Sequence, residues 1–233
     1  MASLYLIPTT LGDNNFSRVL PQHTLDVLRS VKYLIVENVR TTRRYLKAVD
    51  KDIDIDGLTF YTLNRHTDPA VIASYLSPLA QGEDMAVISE AGCPAIADPG
   101  ADVVAIAQQK GIKVVPLVGP SSILLALMAS GFNGQSFAFN GYLPIDNVQR
   151  QKAIKHFENR ARTEQQSQIF IETPYRNNAL RDAMLTTLAP QTRLAIATDI
   201  TLPTESISAK TVMQWRKGQM EDINHRPSIF IIY

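Results

Sequence analysis

Short apolar runs recur along the chain, and segments of mixed polar and apolar residues separate them. In the first half, runs at residues 4–7, 33–36, 58–63, 85–88 and 112–118 have the length of buried strands. The segments at 16–30, 41–49, 68–79 and 98–110 have the spacing or start signals of helices. Asp68-Pro69 and Asp98-Pro99 each predict a helix start, with Asp as the N-cap and Pro at the first helical position.

The second half repeats this alternation. An apolar helix is predicted from Gly119-Pro120-Ser121-Ser122 to Gly131. Strands are expected at 136–143, 168–172, 193–199, 205–208 and 228–233, and helices at 146–159, 175–188 and 212–219. The pattern predicts an α/β fold with parallel or mixed sheets. Five strands in each half favour two domains, residues 1–118 and 119–233, with residues 131–135 as the alternative boundary.

Composition narrows the class of protein. The chain has 233 residues, of which 45% are hydrophobic, and a formal net charge of +1. A folded core is therefore expected. The near-zero net charge argues against a positive electrostatic potential over the whole molecule, of the kind that drives bulk binding of nucleic acid. A single cysteine excludes a disulfide framework, and the four histidines lack metal-ligand spacing, so no metal is predicted. No apolar window approaches the ~18 residues of a membrane span, and no signal peptide is recognised, so we expect a cytoplasmic protein.

One local group of basic residues stands out. Arg40, Arg43, Arg44 and Lys47 follow the spacing i, i+3, i+4, i+7, which places them in one stripe if the segment is helical. A solvated helix face and a surface that grips the phosphates of a nucleic acid both fit this stripe.

The loop predicted at residues 89–100, SEAGCPAIADPG, is the strongest functional signal. It follows a strand, it is longer than most strand-to-helix connections, and Gly92 permits a ligand to approach the backbone closely. Pro94 and Pro99 stiffen it. The serines of the segment GPSS, residues 119–122, either cap a helix or help to bind an anion. Cys93 is interpreted as a packed thiol.

Seven short segments, which occur in the same order along the chain, resemble motifs of the tetrapyrrole-methylase-fold methyltransferases that use S-adenosylmethionine. Within them, the chain is most similar to the branch that methylates cytidine 2′-oxygens of small-subunit ribosomal RNA. SEAGCPAIADPG is similar to the loop S-D-A-G-T-P-x-I-x-D-P-G of that branch. The other matching segments are LIPTTLGD, ENVR, VVPLVGPSS, FNGYLP, IETPYR and ATDITLPTESI.

The chain departs from the branch at several charged positions. Asn38 and Val39 replace the Asp and Thr of E-D-T-R, and Thr198 and Asp199 replace an Arg-Glu pair. Leu202 stands in place of a Lys, and residues 226–228, Arg-Pro-Ser, stand where the branch has Gly-Glu. The cofactor loops are better kept than the side expected to meet the substrate.

The resemblance implies two α/β domains with S-adenosylmethionine in the cleft between them, and a homodimer. It implies a cofactor site built largely from backbone groups. The residues expected there are Pro8, Gly92, Cys93, Pro94, Ala95, Ile96, Ser121, Ser122, Tyr142, Leu143, Ile171 and Ala197.

Methyl transfer from a sulfonium to a ribose hydroxyl needs alignment of the two reacting groups and a base for the proton. Candidate bases are Glu37, Glu172 and Asp199, each with a structural ion pair or cap as the alternative role. Arg40 and Arg176 are candidates for gripping a phosphate or carboxylate. His66 is either a surface residue or a substrate contact.

Three functions remain open at this point. The first is methylation of ribosomal RNA. The second is methylation of a tetrapyrrole or other small anionic molecule. The third is a protein that binds S-adenosylmethionine or S-adenosylhomocysteine without catalysis.

Overall fold

A computed structural model describes residues 2–12, 16–64 and 67–233. The chain divides into two compact units, Met1–Ser121 and Ser122–Tyr233. Each unit holds one five-stranded sheet with helices, so the predicted α/β class is confirmed. The expected domain boundary after Val118 stays a prediction, and His66 lies outside the described residues.

The sheet of the first unit is entirely parallel. Its strands are listed in chain order: β1 (Ser3–Ile7), β2 (Tyr33–Val36), β3 (Thr59–Thr62), β4 (Met85–Ile88) and β5 (Lys113–Pro116). In space they lie in the order β3-β2-β4-β1-β5. Loops that leave the carboxyl ends of β2, β4, β1 and β5 therefore share one edge of the sheet, where ligands bind in open α/β folds.

The strands of this sheet are covered on both faces. Along β4, Met85 and Val87 pack into one apolar cluster, while Ala86 and Ile88 pack into another. All four side chains are buried. A parallel strand buried on both faces is a continuous apolar run, which is why this strand was predicted with the bounds that it has.

Two of the helices predicted in the first unit are each divided into two shorter helices. They are α1 (Phe16–Val19), α2 (Gln22–Ser30), α3 (Val39–Val49), α4 (Pro69–Tyr75), α5 (Ser77–Ala80) and α6 (Gly100–Gln109). The prediction of one helix over 16–30 is wrong because Pro21 lacks an N–H and stands in extended conformation as the N-cap of α2. The helix predicted over 68–79 is likewise interrupted at Leu76, two residues before Pro78.

One predicted cap is also wrong. The N-cap of α6 is Pro99 in helical conformation, and not Asp98. The Asp98 carboxylate nevertheless accepts a hydrogen bond from the amide of Gly100, the first residue of the helix. By contrast, Asp68 caps α4 as expected, because its side chain accepts from the Ala70 amide.

The second unit has a mixed sheet. Its strands are β6 (Phe137–Tyr142), β7 (Ser167–Ile171), β8 (Arg193–Thr198), β9 (Ser206–Thr211) and β10 (Ser228–Ile232), in the spatial order β6-β7-β10-β8-β9. Only β6 and β7 pair in parallel, since β10 runs antiparallel to both neighbours. The helices are α7 (Ser122–Ser130), α8 (Asn147–Glu164), α9 (Asn177–Thr187) and α10 (Val212–Lys217), and a 3-10 turn, Pro174–Arg176, precedes α9.

The carboxyl ends of β7 and β8 lie at the same edge of this sheet, on either side of the start of β10. The core beneath them is one cluster in which Phe170 and Phe230 are fully buried. Among the described residues, no helix is long and apolar enough to cross a membrane.

Candidate active site

Three chain segments meet at the carboxyl edge of the sheet in the first unit. The Thr9 amide, just beyond β1, donates to the Gly92 carbonyl at 3.0 Å and forms an isolated antiparallel bridge with the loop after β4. The Ser89 hydroxyl donates to the same carbonyl at 2.6 Å, and the Thr9 hydroxyl donates to the Ser89 carbonyl at 3.3 Å. The first turn of the loop is therefore fixed against the end of β1.

The loop after β4 holds an unusual backbone conformation. Gly92, Ala95 and Ala97 all have left-handed φ angles, of 74°, 64° and 63°. For alanine this conformation costs about 1–2 kcal/mol. One oxygen of Asp98 accepts from the Ala95 and Gly100 amides, each at 2.8 Å, and these bonds hold the turn. Strain of this kind is typical of ligand-binding loops.

Asp98 is itself partly withdrawn from solvent. Burial raises its pKa above the ordinary value of 3.8, and the hydrogen bonds from the Gly100 and Ala95 amides oppose the rise. The ionised carboxylate is the better acceptor for two amide donors. The shape of the loop therefore depends on the charge of one side chain.

The segment after β5 packs directly on this loop. A Cβ added at Gly119 would lie 2.3 Å from Cβ of Pro8, so glycine is the residue that the contact requires. The Cys93 thiol donates to the Pro120 carbonyl at 3.4 Å, and burial raises its pKa above 9.0. The structure thus brings Pro8, Gly92, Cys93 and the segment after β5 together, and their role as a cofactor site stays a prediction.

The remaining predicted cofactor residues of this loop differ in exposure. Pro94 is buried, Ala95 is half-buried, and the Ile96 side chain is 54% exposed. Ser121 and Ser122 are half-buried, and Ser122 is the first residue of α7. An exposed isoleucine beside strained backbone amides offers both apolar and polar contacts to a ligand.

The loop that follows β2 lies at the same edge of the sheet. Glu37 follows β2 and is half-buried, and Asn38 caps α3 by accepting from the amides of Arg40 and Thr41. The Thr41 hydroxyl donates to Oε1 of Glu90 at 2.7 Å and so ties α3 to the loop after β4. A small cavity of about 40 Å³ lies beside this bond. We had not singled out Glu90 as an acid, although it occupies the position of the Asp in the family motif.

The basic stripe forms on one helix, as its spacing predicts. Arg40, Arg43, Arg44 and Lys47 are all exposed on α3. The Arg43 guanidinium lies 5.2 Å from the centroid of the Phe60 ring. Lys47 donates to the Lys51 carbonyl at 2.7 Å. The geometry fits a polyanion surface, and the role of the stripe stays a prediction.

In the second unit, three of the predicted cofactor residues lie in one row across the sheet. Tyr142 pairs with Ile171, Ile171 pairs with Ile229 on β10, and Ile229 pairs with Ala197. A β-bulge in β6 precedes Tyr142, whose side chain is 52% exposed. Leu143, the fourth predicted residue here, is buried in the core.

Two of the candidate bases are held in ion pairs. Oε1 of Glu172 accepts from Nη2 of Arg176 at 2.7 Å, and its side chain is only 1% exposed. Asp199 accepts from Nε of Arg226 at 2.7 Å and from the Thr204 hydroxyl at 2.8 Å. The Glu172 hydrogen bond raises the pKa of Arg176. Both carboxylates form ion pairs, and the catalytic role expected for them stays a prediction.

Asp199 and Arg226 are also two of the positions at which the chain departs from the ribosomal branch. They lie at the ends of neighbouring strands and contact each other, so two of the departures form one ion pair. Among the described residues, no group of three or more His, Cys, Asp or Glu side chains is arranged to hold a metal ion.

Comparison with known proteins decides the family. The family model for Tetrapyrrole (Corrin/Porphyrin) Methylases matches residues 4–214. The chain belongs to the tetrapyrrole methylase family. The resemblance seen in the motifs is confirmed, and so is the prediction that this member of the family is a methyltransferase.

Several relatives of this tetrapyrrole methylase carry the name Ribosomal RNA small subunit methyltransferase I. The one from Vibrio cholerae is 31% identical over 98% of this chain and 75% of the relative. The one from Escherichia coli O157:H7 is 30% identical over 98% of this chain and 76% of the relative. The one from Xylella fastidiosa is 29% identical over 99% of this chain and 80% of the relative.

Solved structures of more distant members show the same fold. The methyltransferase CobJ matches with a TM-score of 0.63 at 15% identity, over 99% of this chain and 92% of CobJ. Uroporphyrin-III-C-methyltransferase from Thermus thermophilus matches with a TM-score of 0.54 at 17% identity, over 99% and 91% of the two chains. At these identities the likeness concerns the fold alone.

Proposed function

We propose that this tetrapyrrole methylase transfers the methyl group of S-adenosylmethionine to a ribose 2′-oxygen of small-subunit ribosomal RNA. The observation that carries the proposal is the similarity, at about 30% identity over 98% of the chain, to the Vibrio cholerae and Escherichia coli ribosomal RNA methyltransferases. In the reaction, the S–CH₃ bond breaks as an O–CH₃ bond forms, and the ribose hydroxyl loses its proton.

The strained loop of the first unit is the proposed cofactor surface. It presents the backbone of Gly92, Ala95 and Ile96 beside Pro8 and Cys93. A flat adenine ring suits the exposed Ile96 side chain, and backbone groups suit its polar atoms. The apolar row at Tyr142, Ile171 and Ala197 of the second unit is the other proposed cofactor surface.

Among the acids, we propose Glu37 as the first base to test, because it follows β2 at the carboxyl edge of the parallel sheet, where ligands bind in open α/β folds. We assign Glu172 and Asp199, which form ion pairs with Arg176 and Arg226, the role of positioning those arginines. Replacing Glu37 by Gln is expected to lower kcat by about 10²–10⁴ with little change in cofactor affinity. The exposed arginines of α3, Arg40 among them, are the proposed contacts for RNA phosphate.

The proposal extends to the setting of the enzyme. Methylation of ribosomal RNA implies a cytoplasmic enzyme, and the resemblance implies a homodimer. Exposed apolar side chains in the second unit support a protein interface, with Met128 77% and Ile145 69% exposed. Light scattering coupled to size-exclusion chromatography tests the dimer directly.

Calorimetric titration with S-adenosylmethionine tests the cofactor site. One site per chain is expected, and Ala95→Leu should abolish binding. Ala97→Leu is a matched control because both alanines have the same left-handed φ, while only Ala95 belongs to the proposed site. Equal loss in both variants would indicate a general loop defect, and no binding by the unaltered protein would refute the cofactor site.

The acceptor is tested by methyl transfer from labelled cofactor to small ribosomal subunits, free ribosomal RNA and uroporphyrinogen. A label in dinucleotides that resist alkali is expected, because a 2′-O-methyl group blocks alkaline cleavage. Labelling of the tetrapyrrole alone would favour the second function. Cofactor binding without transfer to any acceptor would favour a protein that binds the cofactor without catalysis.

A further inference from the structure

A cavity of about 640 Å³ lies within the second unit, far from the candidate acids of that unit. It runs between the second half of α8 and the strand ends at Arg193 and Tyr233, and we call it the α8 groove. Arg193 begins β8, whereas Asp199 follows the end of that strand. A six-residue strand spans roughly 20 Å, so the groove opens at the opposite edge of the sheet.

The charges that line the groove do not cancel. Its cations are Lys155, Arg162 and Arg193, and its only acid among the described lining residues is Glu158. Lys155 lies 3.0 Å from Glu158, so this pair is close to neutral. The two arginines remain, and both side chains are exposed.

Glu158 is already occupied on the protein side. It accepts from the Ala189 amide and the Thr192 hydroxyl, each at 2.6 Å, as well as from Lys155. Burial opposes its ionisation, but these hydrogen bonds outweigh burial and lower its pKa below 4.5. A carboxylate engaged in this way does not compete for the free arginines.

Neither arginine has an acidic partner among the described residues. Nη2 of Arg162 donates to the side-chain amide oxygen of Asn159 at 3.0 Å. Arg193 reaches only a backbone carbonyl, that of Gly131, at 3.4 Å. Both guanidinium groups therefore retain N–H donors for an external anion.

Arg193 is also held in place before any ligand binds. Its guanidinium lies 4.4 Å from the centroid of the Phe132 ring and 5.8 Å from that of Tyr233. The two rings stack on each other at 5.7 Å. A guanidinium fixed against aromatic faces keeps its planar donors free for a phosphate and loses little entropy on binding it.

We propose that the α8 groove binds the phosphodiester backbone of RNA. The inference rests on the proposed function, because it assigns a second contact surface for the same class of substrate. Two arginines without acidic partners in one groove suit the repeated negative charges of a phosphodiester chain. An acidic protein surface is the competing occupant, and the experiment below separates the two.

The test measures binding of a fluorescein-labelled single-stranded RNA to the full chain at several salt concentrations. Each phosphate contact contributes about 0.7 to the slope of log K against log salt. The double variant Arg162→Gln/Arg193→Gln is expected to lower this slope by about 1.4 and to weaken binding at least about tenfold at low salt. Arg160→Gln is the matched control on α8, because Arg160 is paired with Glu164 at 3.0 Å.

An unchanged slope in the double variant overturns the proposal and leaves an acidic protein as the better fit. Arg193 contacts two rings, so its loss can perturb folding. Arg162→Gln alone, an exposed change, must then still lower the slope by about 0.7. Titration with S-adenosylmethionine, expected to be unchanged in every variant, checks that the variants are folded. Methyl transfer from labelled cofactor to small ribosomal subunits by the unaltered protein separates a failure of the groove from a failure of the proposed function.

Discussion

The variant Gly119→Ala tests how tightly the segment after β5 packs against Pro8, which follows β1 at the carboxyl edge of the same sheet. The added Cβ would lie 2.3 Å from Cβ and 2.7 Å from Cγ of Pro8, and 3.2 Å from Cδ2 of Leu20. Carbon atoms in contact prefer about 3.5–4.0 Å. Pro8 is buried and its ring is fixed to the backbone, so it cannot rotate away.

The expected cost is at the upper end of the range for overpacking, about 3 kcal/mol. For a chain of this length, this corresponds to a fall in Tm of roughly 6–12 °C by calorimetry or circular dichroism. Displacement of Pro8 by more than an ångström should also lower kcat/KM by up to about 100-fold. Gly134→Ala is the control, because a Cβ there meets nothing within 4 Å and no left-handed φ is involved.

The reasoning is refuted if Gly119→Ala unfolds at the temperature of the unaltered protein. It is equally refuted if Gly134→Ala is as destabilising as Gly119→Ala. The double variant Pro8→Gly/Gly119→Ala removes the ring that opposes the added Cβ. Its loss in free energy of unfolding should therefore be smaller than the sum of the losses in the two single variants, by about 1–3 kcal/mol. Strict additivity would show that the two residues do not contact each other.

Three further predictions concern single side chains. Alkylation of Cys93, the one cysteine of the chain, should be slow at neutral pH, and its rate should rise beyond pH 9 because burial raises the pKa of the thiol. S-adenosylmethionine should block the reaction, and alkylation that the cofactor does not slow would contradict the placement of Cys93 in the cofactor site. Ala97→Gly should stabilise the protein by up to about 1 kcal/mol in urea unfolding, because glycine accepts the left-handed φ without strain; a loss of stability contradicts this. Glu158 has a lowered pKa, so its contribution to stability is complete above pH 4.5 and is lost as the pH falls through its folded-state pKa. The stability difference from Glu158→Gln should therefore shrink in acid, and a difference independent of pH would contradict the assignment.

The local pattern of apolar and polar residues was sufficient to predict where the strands and the loops between them lie. The bounds of β2 and β4 were predicted because each is a run of four apolar residues ended by a polar one. The broken helices show the limit of the same approach. Pro21 and Pro78 lie within segments whose polar and apolar residues have helical spacing. That spacing predicts continuous helices, but the prolines interrupt them.

Features that depend on distant residues were not accessible. The left-handed φ of Ala95 and Ala97 has no local signal, because alanine does not favour it and the Asp98 carboxylate helps to hold it. The bond between Thr41 and Glu90 joins residues far apart in the sequence, as does the pair of Asp199 and Arg226. Such contacts arise only when strands are placed side by side.

Strand order has a consequence for synthesis of the protein on the ribosome. β1 is made first, yet it pairs only with β4 and β5, so it must wait for about eighty residues before its first partner emerges. In the second unit the situation is reversed, because β10 is the last of the five strands of its sheet to be made and must insert between β7 and β8. Until then, both of those strands expose an unpaired edge. The second unit is therefore most exposed to aggregation before β10 pairs with β7 and β8, and a chaperone that shields these edges would act in that interval.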